Sequence, residues 1–125
     1  MRILLDTHIF YWLSYEQHKL PPAARRILDK ADVVYVSAVS FWEIAIKVRV
    51  GKLKADISEL LSSLEAANLL ELSVLARHTP LVSTLPLYHT DPFDRLLIAQ
   101  AMSEPLHLLT ADPKLKQYSE LVIEV

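Results

Sequence analysis

Four carboxylates stand where apolar segments of this chain end or turn back. Asp6 closes the run Arg2-Ile3-Leu4-Leu5, and Glu43 lies inside an apolar helical stretch after Val33-Val34-Tyr35-Val36. Asp94 opens Arg95-Leu96-Leu97-Ile98-Ala99, and Asp112 follows Leu106-His107-Leu108-Leu109-Thr110. A carboxylate against apolar surroundings is costly unless a positive partner satisfies it. If parallel strands bring these segment ends together, the natural partner is a hard divalent cation, since Mg2+ and Mn2+ take oxygen ligands. Such a cluster supports metal-dependent hydrolysis of phosphodiester bonds.

Each acid has a plainer role to set against that one. Asp6 is equally suited to capping a helix that begins at Thr7, and one oxygen suffices for a cap. Glu43 shares a helix face with Val39, Ile46 and Val50 and interrupts an aliphatic stripe. An i,i+4 pair with Lys47 stabilises by roughly 0.2–0.5 kcal/mol at a surface. That is too little to account for a buried carboxylate. Asp91 precedes Pro92 and is the natural N-cap, whereas Asp94, one turn on, shares a face with Leu97, Ile98 and Ala101. We therefore assign Asp94 to the site and Asp91 to the cap. Asp112-Pro113 alone reads as another helix start. Thr7 and Thr110 are placed to orient a carboxylate or a water. His8 reads as a helix surface residue within reach of a phosphate, and Arg95 as a surface pair within reach of substrate.

The elements that must position these residues follow from the apolar pattern. Residues 2–5, 33–37 and 106–109 are short, nearly continuous Ile, Val and Leu runs, as in a parallel sheet covered on both faces. Residues 69–72 and 121–125 are weaker strands. Helices are expected over residues 7–15, 22–28, 39–50, 57–67 and 92–103, with a short one after Asp112-Pro113; Gly51 ends the third. Alternating strands and helices predict an α/β fold, a three-layer α/β/α sandwich around a mainly parallel sheet. Ligands of such folds sit beyond the carboxyl ends of the strands where strand order reverses. Asp6 and Asp112 fall there. Residues 80–89 carry few regular signals and read as a rim over that crevice.

A chain of 125 residues is expected to form one domain, residues 1–125. It has no cysteine, so disulfides and thiolate metal sites are excluded. His8, His18, His78, His89 and His107 show no paired spacing on one helix face, and no glycine-rich phosphate loop or nucleophile elbow occurs. No leader or membrane-length segment is visible, so a cytoplasmic location is expected. A net charge of −2 argues against a general nucleic-acid coat but not against a nuclease. Lys47, Arg49, Lys52 and Lys54 form either a phosphate-gripping patch or a solvated helix end. Phe10, Tyr11, Trp12 and Tyr15 serve core packing or a groove for a partner helix.

The chain resembles the PIN-domain nucleases, specifically VapC-like toxins of bacterial toxin–antitoxin pairs. The likeness is carried by Leu4-Leu5-Asp6-Thr7-His8, by Ser37 to Lys47 around Phe41-Trp42-Glu43-Ile44, by Leu85-Pro86 and His89, by Asp91-Pro92-Phe93-Asp94-Arg95 through Ala101, and by Leu108-Leu109-Thr110-Ala111-Asp112. The resemblance implies an endoribonuclease dependent on Mg2+ or Mn2+, with Asp6, Glu43, Asp94 and Asp112 as the acidic quartet that holds the metal and activates water. It also implies neutralisation by a cognate antitoxin and homodimerisation. Lys47 is then placed to neutralise the acids when no metal is bound. Two rival readings remain from the residues: a non-catalytic interaction or RNA-binding domain with the same fold, and a receiver-like phosphoacceptor. The second expects adjacent acids after the first strand, where this chain has Asp6-Thr7-His8.

Overall fold

The computed structural model describes residues 1–125. Five strands form one parallel sheet: β1 (Arg2–Leu5), β2 (Val33–Ser37), β3 (Leu69–Leu72), β4 (His107–Thr110) and β5 (Val122–Glu124), in the order β3-β2-β1-β4-β5. The chain builds outward from β1 to β3 and then returns to add β4 and β5 on the other side. The order therefore reverses between β1 and β4, where Leu4 pairs with Leu108 and Leu5 with Leu109. The carboxyl ends of these two strands open the crevice that such a reversal creates.

Side chains of a strand alternate between faces, and both faces here are covered. Ile3, Leu5 and Leu109 join Ile9, Phe10, Ile44 and Leu60 on one side, while Leu4 and Leu108 join Leu97, Ile98, Ala101 and Leu106 on the other. Leu4, Leu5, Leu108 and Leu109 are all fully buried, which is why these runs show no polar alternation.

The helices are α1 (Thr7–Tyr15), α2 (Pro22–Lys30), α3 (Ala38–Arg49), α4 (Ile57–Ser63), α5 (Thr79–Thr84) and α6 (Pro92–Ser103). Two departures from the sequence reading bear on function. The segment expected to be irregular contains α5, started by Pro80 in its first turn and preceded by a 3-10 turn over Ala76–His78. The stretch after Asp112 is a 3-10 helix over Pro113–Tyr118 rather than an α-helix, and it carries Tyr118 back over the rim. Gly51 does end α3: at φ 80° it occupies the left-handed region that side chains avoid, and its N–H donates to Val48 O at 3.1 Å.

Candidate active site

Each of the four acids is delivered by a different junction. Asp6 leaves β1 and caps α1; its Oδ1 accepts from Thr7 N–H at 2.7 Å and its Oδ2 from the Thr110 hydroxyl at 2.6 Å. It is only 2% exposed. Capping and site placement thus coincide in one carboxylate. Thr7, buried beside it, shares its hydroxyl hydrogen bond with Ser40 Oγ on α3, so its hydroxyl links α1 to α3 rather than orienting Asp6.

Glu43 is 3% exposed on α3. Lys47 Nζ donates to its Oε2 at 2.7 Å, so the i,i+4 pair exists, but it is half-buried rather than solvated. The second oxygen, Oε1, is buried with no hydrogen-bond partner. An orphaned carboxylate oxygen is a large unmet cost in a folded interior.

Asp91 caps α6, its Oδ1 accepting from Phe93 N–H at 2.9 Å and Asp94 N–H at 3.0 Å. Asp94 turns toward the sheet. Its carboxyl is pushed up from 3.8 to about 8, first by burial and then by the charges of Asp6, Asp91, Glu43 and Asp112. Asp6 is also raised above the ordinary carboxylate range, chiefly by burial, with Glu43 adding to it and the Thr110 hydroxyl and His8 opposing it. These mutual influences mean that the chain gathers Asp6, Glu43, Asp94 and Asp112 into one acidic site. Asp112 is the most open of them; its Oδ1 caps the following 3-10 helix through Lys114 N–H at 2.9 Å. A cleft of about 240 Å³ lined by Asp6, His8, Trp12, Ala111 and Asp112 opens from it.

Two residues have larger parts here than their sequence positions suggest. His89 Nε2 hydrogen-bonds Asp112 Oδ2 at 3.2 Å and lies 3.1 Å from Asp94 Oδ2. Its sequence signals are its place two residues before the cap Asp91 and its part in the family resemblance, and neither assigns it a contact with the acids. Arg95 makes no surface ion pair: its guanidinium donates to the carbonyls of Val82, Leu85, Pro86 and His89 and to Tyr118 Oη. It fastens the rim. Of the basic cluster, Lys47 is bound to Glu43, while Arg49, Lys52 and Lys54 are exposed. A buried network further secures the frame: Ser37 Oγ donates to Gln100 Oε1 at 2.6 Å, tying β2 to the helix that carries Asp94.

The chemistry of this donor set suits a hard divalent cation. Four carboxylates, one with a buried oxygen that has no hydrogen-bond partner and one with its pKa pushed to about 8, are an oxygen donor set of the kind such a cation takes. His89, Asp94 and Asp112 alone offer ligand atoms all within 4.8 Å of one another.

The chain is similar to known proteins in sequence and in fold. Ribonuclease VapC22 of Mycobacterium tuberculosis is 31% identical over 121 residues, 93% of this chain and 91% of that protein. The fold is shared with VapBC2 of Rickettsia felis bound to a promoter DNA fragment (TM-score 0.69, 18% identity, 100% of this chain and 98% of that one). It is shared also with a toxin–antitoxin complex from Klebsiella pneumoniae (TM-score 0.67, 16% identity, 98% and 99% covered) and with FitAcB from Neisseria gonorrhoeae (TM-score 0.65, 18% identity, 98% and 96% covered). The PIN domain model matches residues 3–121, which hold β1 to β4 except Arg2 and all four acids, and the chain therefore belongs to the PIN-domain family.

Proposed function

We propose that this protein is an endoribonuclease that requires Mg2+ or Mn2+ and acts in the cytoplasm as the toxin of a toxin–antitoxin pair, with Asp6, Glu43, Asp94 and Asp112 holding the cation. The observation that carries the reading is the buried carboxylate cluster in which Glu43 Oε1 has no partner and Asp94 is driven to about 8. A relative whose name is ribonuclease, matched over nearly its full length, supports RNA as substrate.

A divalent cation in this cluster would acidify water and offset charge on the scissile phosphate and the leaving oxygen. The chain's own residues fix the geometry. Thr110 and the Thr7 amide hold both Asp6 oxygens, so that carboxylate keeps one orientation. Lys47 satisfies one Glu43 oxygen and leaves the other facing inward. His8 and Trp12 line the cleft beside Asp6 and offer a phosphate a polar and an aromatic contact at its mouth.

Partners follow from two apolar surfaces. A cleft of about 190 Å³ between α1 and α4, lined by Leu13, Tyr15, Leu60 and Leu69, supports an antitoxin helix that inserts apolar side chains there. Of the aromatic set on α1, Phe10 and Tyr11 are buried in packing, leaving Tyr15 for that groove. A larger apolar hollow of about 420 Å³ between α3, α5 and α6, with Trp42 61% exposed against Phe93, supports homodimerisation.

Purified protein incubated with RNA tests the reading. Cleavage is expected with Mn2+, to be lost with chelator and lost in Asp6→Asn. Cleavage that survives Asp6→Asn would place the activity elsewhere. RNA retained without cleavage would replace the nuclease reading by a binding domain.

A further inference from the structure

His89 stands in the connection between α5 and α6, where no regular backbone pattern holds it, yet all its polar atoms are engaged. Its N–H donates to Tyr118 Oη at 2.8 Å, and its carbonyl accepts from Arg95 Nη1 and from the same Tyr118 hydroxyl, each at 3.3 Å. Ring Nδ1 accepts from Asp91 N–H at 3.2 Å. Ring Nε2 faces two acids delivered by different elements: Asp112 Oδ2 at 3.2 Å after β4, and Asp94 Oδ2 at 3.1 Å on α6.

By distance alone, His89, Asp94 and Asp112 make a three-ligand metal group. The hydrogen-bond partners argue otherwise. A neutral imidazole has one N–H and one lone pair. A backbone amide can only donate, so the lone pair is on Nδ1 and the hydrogen on Nε2. A histidine that ligates through Nε2 needs the reverse arrangement, with Nδ1–H given to a carbonyl or carboxylate. Here the group at Nδ1 is itself a donor.

We propose that His89 is a positioning residue, not a metal ligand: its Nε2–H, hydrogen-bonded to Asp112 and 3.1 Å from Asp94, fixes the separation of the two acids for the cation. The proposal rests on the metal-dependent reading above. Each carboxylate oxygen has a second lone pair, so one that accepts from His89 still has one free for the cation. His89 is the one side chain recorded against both carboxylates, by a hydrogen bond to Asp112 and a 3.1 Å contact with Asp94, and the Arg95 and Tyr118 clamp on the His89 backbone explains how a loop residue holds so definite a place. Such outer partners of metal ligands are worth about 10–100-fold in metal affinity.

The test uses untagged protein titrated with Mn2+, free Mn2+ being read by electron paramagnetic resonance. His89→Ala is expected to weaken Mn2+ binding by about 10–100-fold, and His89→Gln, which keeps an N–H donor of similar reach, to recover most of the loss. Pulsed resonance on the loaded wild type is expected to show no directly bound imidazole nitrogen attributable to this ring. A nitrogen coupling that disappears in His89→Ala would make the residue a ligand and overturn the proposal, even if His89→Ala folds poorly for titration. Wild-type affinity in a folded His89→Ala would reduce the residue to a loop fastener. Wild-type protein that binds no Mn2+ at all sinks the metal reading and this inference together.

Discussion

A carboxyl group buried among other carboxylates keeps its proton toward neutral pH, and Asp94 is in that situation, pushed to about 8 by burial and by Asp6, Asp91, Glu43 and Asp112. Because its folded value lies above the ordinary 3.8, the metal-free fold takes up a proton that the unfolded chain releases. Stability of the metal-free protein therefore falls as pH rises from about 4 through about 8. Asp94→Asn removes that penalty. At pH 8 without metal it is expected to exceed wild type by roughly 2 kcal/mol once partial solvent access is discounted, with little difference at pH 4. Denaturant titration at both values checks this, and equal stability at pH 8 would refute it. Metal binding at the proposed site would carry the opposite signature: Mn2+ would displace the Asp94 proton, so affinity is expected to rise with pH up to about 8. Calorimetry in buffers of different ionisation heat reads the released proton, which Asp94→Asn should abolish. Glu104 shows the contrary case. It is lowered from 4.5 mainly by its hydrogen bond to His78, with Arg77 assisting, so it stabilises the fold above its ordinary value and that contribution is lost as pH falls through the lowered one. Glu104→Gln is expected to destabilise at pH 7 and to matter progressively less as pH falls below the ordinary 4.5, as thermal melts across that range would record.

At the level of elements, α6 concentrates the work: Asp91 caps it, Asp94 faces the site, Arg95 fastens the rim, and Gln100 accepts from Ser37 Oγ. Arg95→Ala leaves the carbonyls of residues 82–89 without their shared donor. A hydrogen bond from a charged group contributes about 1.5–3 kcal/mol, so a loss on the order of 2 kcal/mol is expected. It should be accompanied by faster amide exchange confined to residues 82–91, and unchanged exchange there would mean the rim is held by other contacts. The same contrast explains what could be read in advance. Strands β1, β2 and β4 and the Asp91 cap are local patterns, an aliphatic run or an Asp-Pro pair, and the reading needs only neighbours in sequence. The part of His89 depends on Asp112 and Tyr118, 23 and 29 residues away, and no periodicity marks a ring in an irregular connection. Helix α5 escaped because it is only six residues long, Thr79-Pro80-Leu81-Val82-Ser83-Thr84, all but Leu81 are weaker helix formers, and it is held by packing against α6. Arg95 looked like a surface charge because its acceptors are backbone carbonyls, which leave no trace in the side-chain pattern.

Over the whole molecule, four of the 15 acidic residues are gathered in one place. The four acids meet at the carboxyl ends of β1 and β4, and without them the rest of the chain, which has 13 Lys and Arg in all, carries a small positive excess. The acidic cleft would repel a polyanion until a cation occupied it. The fold pays for that concentration in the metal-free state through Asp94, the raised Asp6 and the orphaned Glu43 oxygen. A ligand that binds only the folded state adds RT ln(1 + [L]/Kd), about 2.7 kcal/mol at 100-fold over Kd. For a chain of this size each kcal/mol moves the melting temperature by about 3–5 °C. Saturating Mn2+ at pH 8 is therefore expected to raise Tm by roughly 10 °C. The rise should shrink toward pH 5, where Asp94 holds its proton, and should be largely lost in Asp6→Asn at either pH. Differential scanning calorimetry with Mn2+ and with chelator measures it. A shift that is the same at pH 5 and pH 8, or that persists in Asp6→Asn, would mean that the ion is stabilising some other surface and that the carboxylate cluster is not what it relieves.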